Sequence, residues 1–161
     1  PMFKHVVMAF SLAVLAGCSP PAADGGGVGA GPAEAAAQTP TGAPAGAEDA
    51  ILTWARGQFG QTNLFEPVEI FYGDFTGDGA PDALAWVLYS GGGNSAMLDV
   101  ALFRNQGGRM TYLRSANDVF GGEPRNVVFA NGRIRLTSTM PRPGDPRCCP
   151  TGSQDWTINT N

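Results

Sequence analysis

The chain has 161 residues, of which ten are Lys or Arg and 14 are Asp or Glu, giving a net charge of −4 at pH 7. Its single Lys and single His, Lys4 and His5, lie in a segment that we expect to be removed. The remaining chain has a formal charge of −5 and cannot perform Ser-His-Asp or Cys-His catalysis, form a lysine Schiff base or build a histidine zinc site. A nucleic-acid partner is also excluded, because binding one requires a clear basic excess.

The first predicted element is an export signal over residues 1–18. Lys4 supplies a positive charge, and the apolar stretch Val6 to Leu15 is too short to span a bilayer but has the length of a signal-peptide core. The run Leu15-Ala16-Gly17-Cys18 follows it and resembles the lipobox of bacterial lipoproteins. The resemblance implies cleavage before Cys18, a lipid on its sulfur and a fatty acyl group such as palmitate on its amino nitrogen. The alternative is an ordinary secretory signal that contains a cysteine.

Lipidation at Cys18 predicts where the protein resides. Two or more acyl chains hold a protein on a membrane stably without a transmembrane helix. We therefore expect a membrane partner through the lipid anchor and a location in the cell envelope, on the periplasmic side. Ser19 stands where an Asp is the usual inner-membrane retention signal in Gram-negative lipoproteins. This favours the outer membrane if the cell has one.

Residues 19–47 are predicted to form a disordered tether. Of these 29 residues, ten are Ala, seven Gly and five Pro, and none is aromatic or basic. Such a composition does not bury enough apolar surface to offset the entropy lost on ordering. The folded part is then a single small domain over residues 48–161.

The domain is predicted to be α+β, with a short N-terminal helix packed on one antiparallel β-meander of five to seven strands. Residues 48–59 place apolar side chains at helical spacing behind two acidic residues, with Gly60 as the stop. Residues 83–89 are apolar throughout, as in a central strand covered on both faces. Asn131-Gly132 is a strong hairpin signal. The predicted strands are 68–72, 83–89, 98–102, 110–114, 126–130, 133–139 and 154–159.

The loop Asp74 to Asp82 (DFTGDGAPD) carries a metal-binding pattern. It places side-chain oxygens at alternate positions, with Ala80 offering a carbonyl, and hard cations such as calcium take six to eight oxygen ligands. The run resembles the calcium loop of FG-GAP and VCBS repeats, which implies a structural calcium site, although Thr replaces the usual Asp or Asn and no second repeat follows. The alternative is a metal-free turn in which the aspartates accept backbone N–H groups. The predicted ligands are Asp74, Thr76, Asp78, Ala80 and Asp82.

A second motif lies near the end of the chain. Cys148 and Cys149 are adjacent in a Pro-rich loop, and an oxidising envelope favours a vicinal disulfide between them. Free thiols, an intermolecular link or redox chemistry are the alternatives. The run Asp145 to Gly152 (DPRCCPTG) resembles a run in uncharacterised lipoproteins of the LppP/LprE kind, which implies no specific activity.

These features favour a non-enzymatic, lipid-anchored binding or structural module of the envelope, whose partner is an envelope protein or a glycan. Arg133 and Arg135 on one strand, with Arg125 nearby, are interpreted as a solvated sheet face, or else as a contact for an anionic glycan or lipid head group. The alternative function is an envelope enzyme or redox accessory that uses the Cys148–Cys149 pair or a pair of carboxylates. The candidate carboxylate pairs are Glu66 with Glu69, and Asp99 with Asp118.

Overall fold

A computed structural model gives the fold of residues 36–161. The predicted signal, the lipidation site Cys18 and residues 19–35 of the predicted tether lie outside the described residues. Within residues 36–161, no helix has both the length and the apolar character needed to cross a membrane.

One α-helix and seven β-strands form the domain. The helix begins at Ala47, places Glu48 and Asp49 in its first turn, and ends before Gly60, whose N–H bonds to the carbonyl of Arg56. Acidic side chains at that position interact favourably with the positive end of the helix dipole. The elements are α1 (Ala47–Phe59), β1 (Glu69–Gly73), β2 (Asp82–Ser90), β3 (Ala96–Gln106), β4 (Arg109–Ser115), β5 (Gly122–Ala130), β6 (Arg133–Met140) and β7 (Gly152–Asn159).

The strands form two antiparallel sheets, which corrects the prediction of one meander. The first sheet has the order β1-β2-β3-β4 and the second has the order β5-β6-β7. The chain passes from one sheet to the other over residues 116–121, where Ala116 and Val119 are buried in the core. The carbonyl of Phe120 accepts a hydrogen bond of 2.6 Å from the Ser138 hydroxyl, which fixes this connection against β6.

The first sheet is covered on both faces because its central strands alternate between two cores. Leu84 and Trp86 of β2 face the second sheet and pack with Phe129 and Ile134. Ala83, Ala85 and Val87 face the opposite way and pack under α1, against Ala47, Ile51 and Ala55. Successive side chains of a strand point to opposite faces. The fully apolar stretch 83–89 is therefore the buried central strand that the sequence predicted.

The segment before the helix joins the two sheets. Gln38 exchanges backbone hydrogen bonds of 2.7 and 2.8 Å with Phe129 of β5, and the N–H of Thr41 donates to the Tyr72 carbonyl of β1 at 2.7 Å. Because β5 and β1 are edge strands of different sheets, residues 38–41 form a strap across the edge of the sandwich. Composition assigned this segment to the tether, yet its backbone pairs with the sheets from Gln38 onward.

Candidate functional site

The predicted metal loop connects β1 to β2 and is closed by its own aspartates. Asp74 accepts the N–H of Gly77 at 2.6 Å through Oδ1 and that of Gly79 at 2.7 Å through Oδ2. Asp78 Oδ1 accepts the N–H of Ala80 at 2.9 Å. Both glycines have positive φ, which lets the chain reverse tightly. The Asp74 and Asp78 carboxylates therefore bond backbone amides, which is the arrangement of the metal-free alternative.

Asp82 anchors this loop to the rest of the sheet. Its side chain is fully buried, and its Oδ2 accepts the N–H groups of Phe75 at 3.1 Å and Thr76 at 3.0 Å. Its Oδ1 accepts the N–H of Asn105 from β3 at 2.9 Å. Burial raises the pKa of the Asp82 carboxyl above its ordinary value, and these hydrogen bonds act against that rise. Asp82 thus satisfies three backbone donors that would otherwise lack a partner.

The loop supplies the chemistry of a calcium site but does not gather its carboxylates. No group of three His, Cys, Asp or Glu side chains within residues 36–161 lies close enough together to hold a metal ion. The Thr76 hydroxyl donates to Asp74 at 3.3 Å, and Asp78 faces Arg104 at 3.9 Å. Each carboxylate oxygen has two lone pairs, so accepting an amide leaves capacity for a cation. Calcium at this loop stays a prediction from the motif.

The Pro-rich loop between β6 and β7 holds the cysteine pair at the surface. Cys148 and Cys149 are exposed and are joined by a disulfide between neighbouring residues. Asp145 organises the loop by accepting the N–H of Arg142 at 2.7 Å and the N–H of Thr151 at 2.8 Å. These bonds lower the pKa of the Asp145 carboxyl. Asp145 therefore holds together the segments before and after the disulfide, at Arg142 and Thr151.

An open groove of about 480 Å³ adjoins this loop, and no pattern in the sequence indicated it. Glu69 at the start of β1 and Glu123 at the start of β5 line it together with Thr139 and Thr151. Glu123 has a φ of 49° and accepts the Thr139 hydroxyl at 2.9 Å. Burial and the nearby Glu123 charge both raise the pKa of Glu69. The packing of two sheets brings these carboxylates together, and no spacing in the sequence encodes it.

Three of the four carboxylates in the pairs proposed from the sequence, Glu66, Glu69 and Asp99, interact with groups outside their pair. Glu66 binds Arg56 in an ion pair of 2.7 Å, whereas Glu69 interacts with Glu123. Asp99 accepts the Ser115 hydroxyl at 2.7 Å. Neither proposed pair therefore stands out as an acid–base pair.

The arginines predicted to lie near one another are on adjacent strands of the second sheet. Arg133 and Arg135 alternate with the buried Ile134 and Leu136 and so share one face of β6, and Arg125 of β5 pairs with Thr137. Arg125 donates to the Thr139 hydroxyl at 2.9 Å and lines the groove of Glu69 and Glu123. Arg135 lines a second concavity with Thr137 and Asp155. Thr137 donates to Asp155 at 2.8 Å. The face carries both signs of charge and its side chains bond one another, as in a solvated sheet face.

An apolar cluster lies at the end of the sandwich opposite the loop of Asp74, Asp78 and Asp82, which we call the aspartate loop. Phe65, Met97 and Phe120 are 49, 46 and 54% exposed there. Met97 and Phe120 line a cavity of about 410 Å³ together with Leu88 and Leu98, and the Phe65 N–H bonds to the Leu88 carbonyl at 2.9 Å. Leu88 and Leu98 are paired across β2 and β3. We call these five residues the apolar end.

Comparison with known proteins gives this chain no relative. No protein family, no curated protein and no solved structure matches it.

Proposed function

We propose that this chain is a lipid-anchored module of the bacterial cell envelope that binds another envelope component and performs no catalysis. The observation that carries the proposal is the run Leu15-Ala16-Gly17-Cys18 directly after an apolar stretch of signal-peptide length. Among the described residues, backbone pairing with the sheets begins at Gln38. About 20 residues therefore separate Cys18 from the folded domain. Acylation of Cys18 then holds the domain at a membrane on a connecting segment.

The absence of His and Lys after residue 5 supports binding over catalysis. The remaining groups able to transfer protons or act as nucleophiles are mainly carboxyls, tyrosines and the cysteine pair. Asp74, Asp82 and Asp145 are engaged by backbone N–H groups. Redox exchange at Cys148–Cys149 is the second candidate function, because both cysteines are exposed and joined.

The anchor is tested by expressing the chain and Cys18→Ala in a bacterium that processes lipoproteins. The expected result is a wild-type chain that begins at Cys18, has the added mass of acyl groups and fractionates with membranes. Cys18→Ala should stay unprocessed or leave the membrane fraction. If Cys18→Ala has the same processing and fractionation as the wild type, the proposal is wrong. Ser19→Ala is the matched control and should be acylated normally.

A weak structural calcium site at the aspartate loop is the second part of the proposal. The resemblance of residues 74–82 to FG-GAP loops and the oxygen-only donor set support it. We expect a dissociation constant of roughly 0.1–1 mM, the range of extracellular modules. A cation that binds only the folded state stabilises it by about 2.7 kcal/mol at a hundredfold excess over its dissociation constant.

Thermal melting in calcium and in chelator tests this part. The wild-type chain should melt at a higher temperature in excess calcium, and Asp78→Ala should lose that increment. Thr111→Ala, on exposed β4, is a control that should keep it. Equal melting of the wild-type chain in both conditions would leave the loop as a turn closed by backbone amides alone.

A further inference from the structure

We propose that the apolar end docks on the surface of a lipid bilayer. This inference rests on the proposed lipid anchor, and it assigns the anchored domain a defined orientation at the membrane. Three large apolar side chains on one end of a small domain are each about half exposed: Phe65, Met97 and Phe120. The largest exposed apolar patch of a small monomer, typically about 300–600 Å², is often functional.

The geometry of the sheet presents these side chains together. The Phe65 N–H bonds to the Leu88 carbonyl at 2.9 Å, so Phe65 lies beside Leu88 at the end of β2. Leu88 and Leu98 pack toward the second sheet, and Met97 and Phe120 line the cavity at the same end, with Phe120 on the connection between the two sheets. Phe120 also contacts Trp156 edge-on, with 6.1 Å between the ring centroids. The exposed rings are therefore supported from beneath by packed side chains.

The charged groups beside the apolar end are acidic or paired. Residues 88–98 contain no charged side chain, neighbouring Glu66 is held by Arg56 in an ion pair of 2.7 Å, and Asp118 and Glu123 lie two and three residues from Phe120 in the chain. The chain from Cys18 onward has a net negative charge, so attraction to anionic lipid head groups does not drive the contact. Docking through aromatic and Met side chains should therefore depend little on salt or on anionic lipid.

The size of the surface favours a bilayer over a second copy of the chain. Half of three large side chains amounts to on the order of 300 Å². A stable protein dimer buries about 800 Å² on each partner, which is well above that area. An anchored domain is held at a high effective concentration beside its membrane, so a small apolar contact suffices.

The connecting segment has the length that docking requires. The strap enters the sandwich at the aspartate-loop end, opposite the apolar end, and β2, with nine residues, spans about 30 Å between them. About 20 residues separate Cys18 from Gln38, and they reach up to about 70 Å when extended. The anchor and the apolar end therefore reach the same bilayer.

The test uses the acylated full-length mature chain in vesicles of phosphatidylcholine with brominated acyl chains, which quench tryptophan at short range. Phe120→Trp places the probe at the apolar end. Leu113→Trp, on β4 and 43% exposed, is the matched control away from it. We expect bromolipid to reduce the emission added by Phe120→Trp at least twofold and to leave the emission added by Leu113→Trp unchanged. Equal quenching of the two added emissions, or no quenching in the Phe120→Trp chain, overturns the proposal.

Two further measurements keep the outcomes separate. Met97→Trp reports the same surface if Phe120→Trp does not fold, as judged by melting. The mass of each chain reports acylation, so quenching that is absent from an acylated chain refutes docking alone. A chain that is not acylated refutes the proposed function, and the docking inference that rests on the anchor falls with it. A dimer of the unacylated chain that Phe120→Ser disperses would assign the apolar end to a second copy and overturn the proposal.

Discussion

At Glu69, two effects act in the same direction on one carboxyl group. Burial in the groove and the charge of Glu123 both raise the Glu69 pKa above 4.5. A raised pKa means that the folded state binds a proton more tightly than the unfolded state does. Stability therefore falls as the pH rises from the ordinary value through the folded pKa, and the cost is fully present once the pH is above the folded pKa.

We predict that Glu69→Gln melts at a higher temperature than the wild type at pH 7, because the substitution removes the disfavoured charge. The difference should shrink on acidification and vanish below the ordinary carboxyl pKa, where both side chains are neutral. Melting curves of the two chains between pH 3 and pH 8 measure this. Glu66→Gln is the control, since Glu66 has a favourable partner in Arg56. A Glu69→Gln chain less stable than the wild type at pH 7 would contradict the pKa assignment.

Asp82 shows why the ligands predicted for the loop and the contacts found in the fold differ. The sequence places an aspartate at the last ligand position of a calcium motif, and nothing in that spacing reveals a strand beside it. In the fold, β3 brings the N–H of Asn105 to within 2.9 Å of the Asp82 carboxylate. A local motif therefore predicts which oxygens are present, whereas the tertiary neighbours determine what those oxygens bind.

At the scale of the elements, a glycine allows β1 of the first sheet to lie against β5 of the second. A Cβ added at Gly73 of β1 would lie 2.3 Å from the ring of Phe129, which is fully buried in β5. Gly73→Ala should therefore overpack this contact and lower the free energy of unfolding by roughly 1–3 kcal/mol. Gly42→Ala meets no atom within 4 Å and is the matched control. Urea denaturation of the two variants measures the difference, and equal midpoints would disprove the contact.

The strand positions could be read from the sequence, whereas their division into two sheets could not. Alternation and the turn at Asn131-Gly132 mark β5 and β6, and the apolar run of β2 marks a central strand. The connection over residues 116–121 and its junction with β5 contain turn residues at Asn117-Asp118 and Gly121-Gly122, which indicate that a strand ends but not that the chain changes sheet. Whether β5 pairs with β4 or starts a second sheet depends on which strand faces pack against each other in the core. This packing depends on the whole tertiary structure and cannot be read from a local sequence pattern.

At the scale of the whole molecule, the strap links the two sheets by backbone hydrogen bonds outside either core. We predict that Gln38→Pro lowers the free energy of unfolding by about 1–2 kcal/mol, because proline removes the N–H that donates to Phe129 and leaves that carbonyl without a partner. Ala36→Pro, two residues earlier, should have little effect. Equal stability of Gln38→Pro and the wild-type chain in urea would show that the strap contributes nothing.

The strap also determines how the domain responds to mechanical load. A pull from the N-terminal side reaches Gln38 first and stretches two hydrogen bonds before any strand of either sheet is strained. The bond from Thr41 to Tyr72 carries the load next, and the helix follows it along the chain. Peeling residues 38–46 releases about 30 Å of chain. If the proposed anchor at Cys18 carries such a load, the chain lengthens by at most that distance while both cores stay closed.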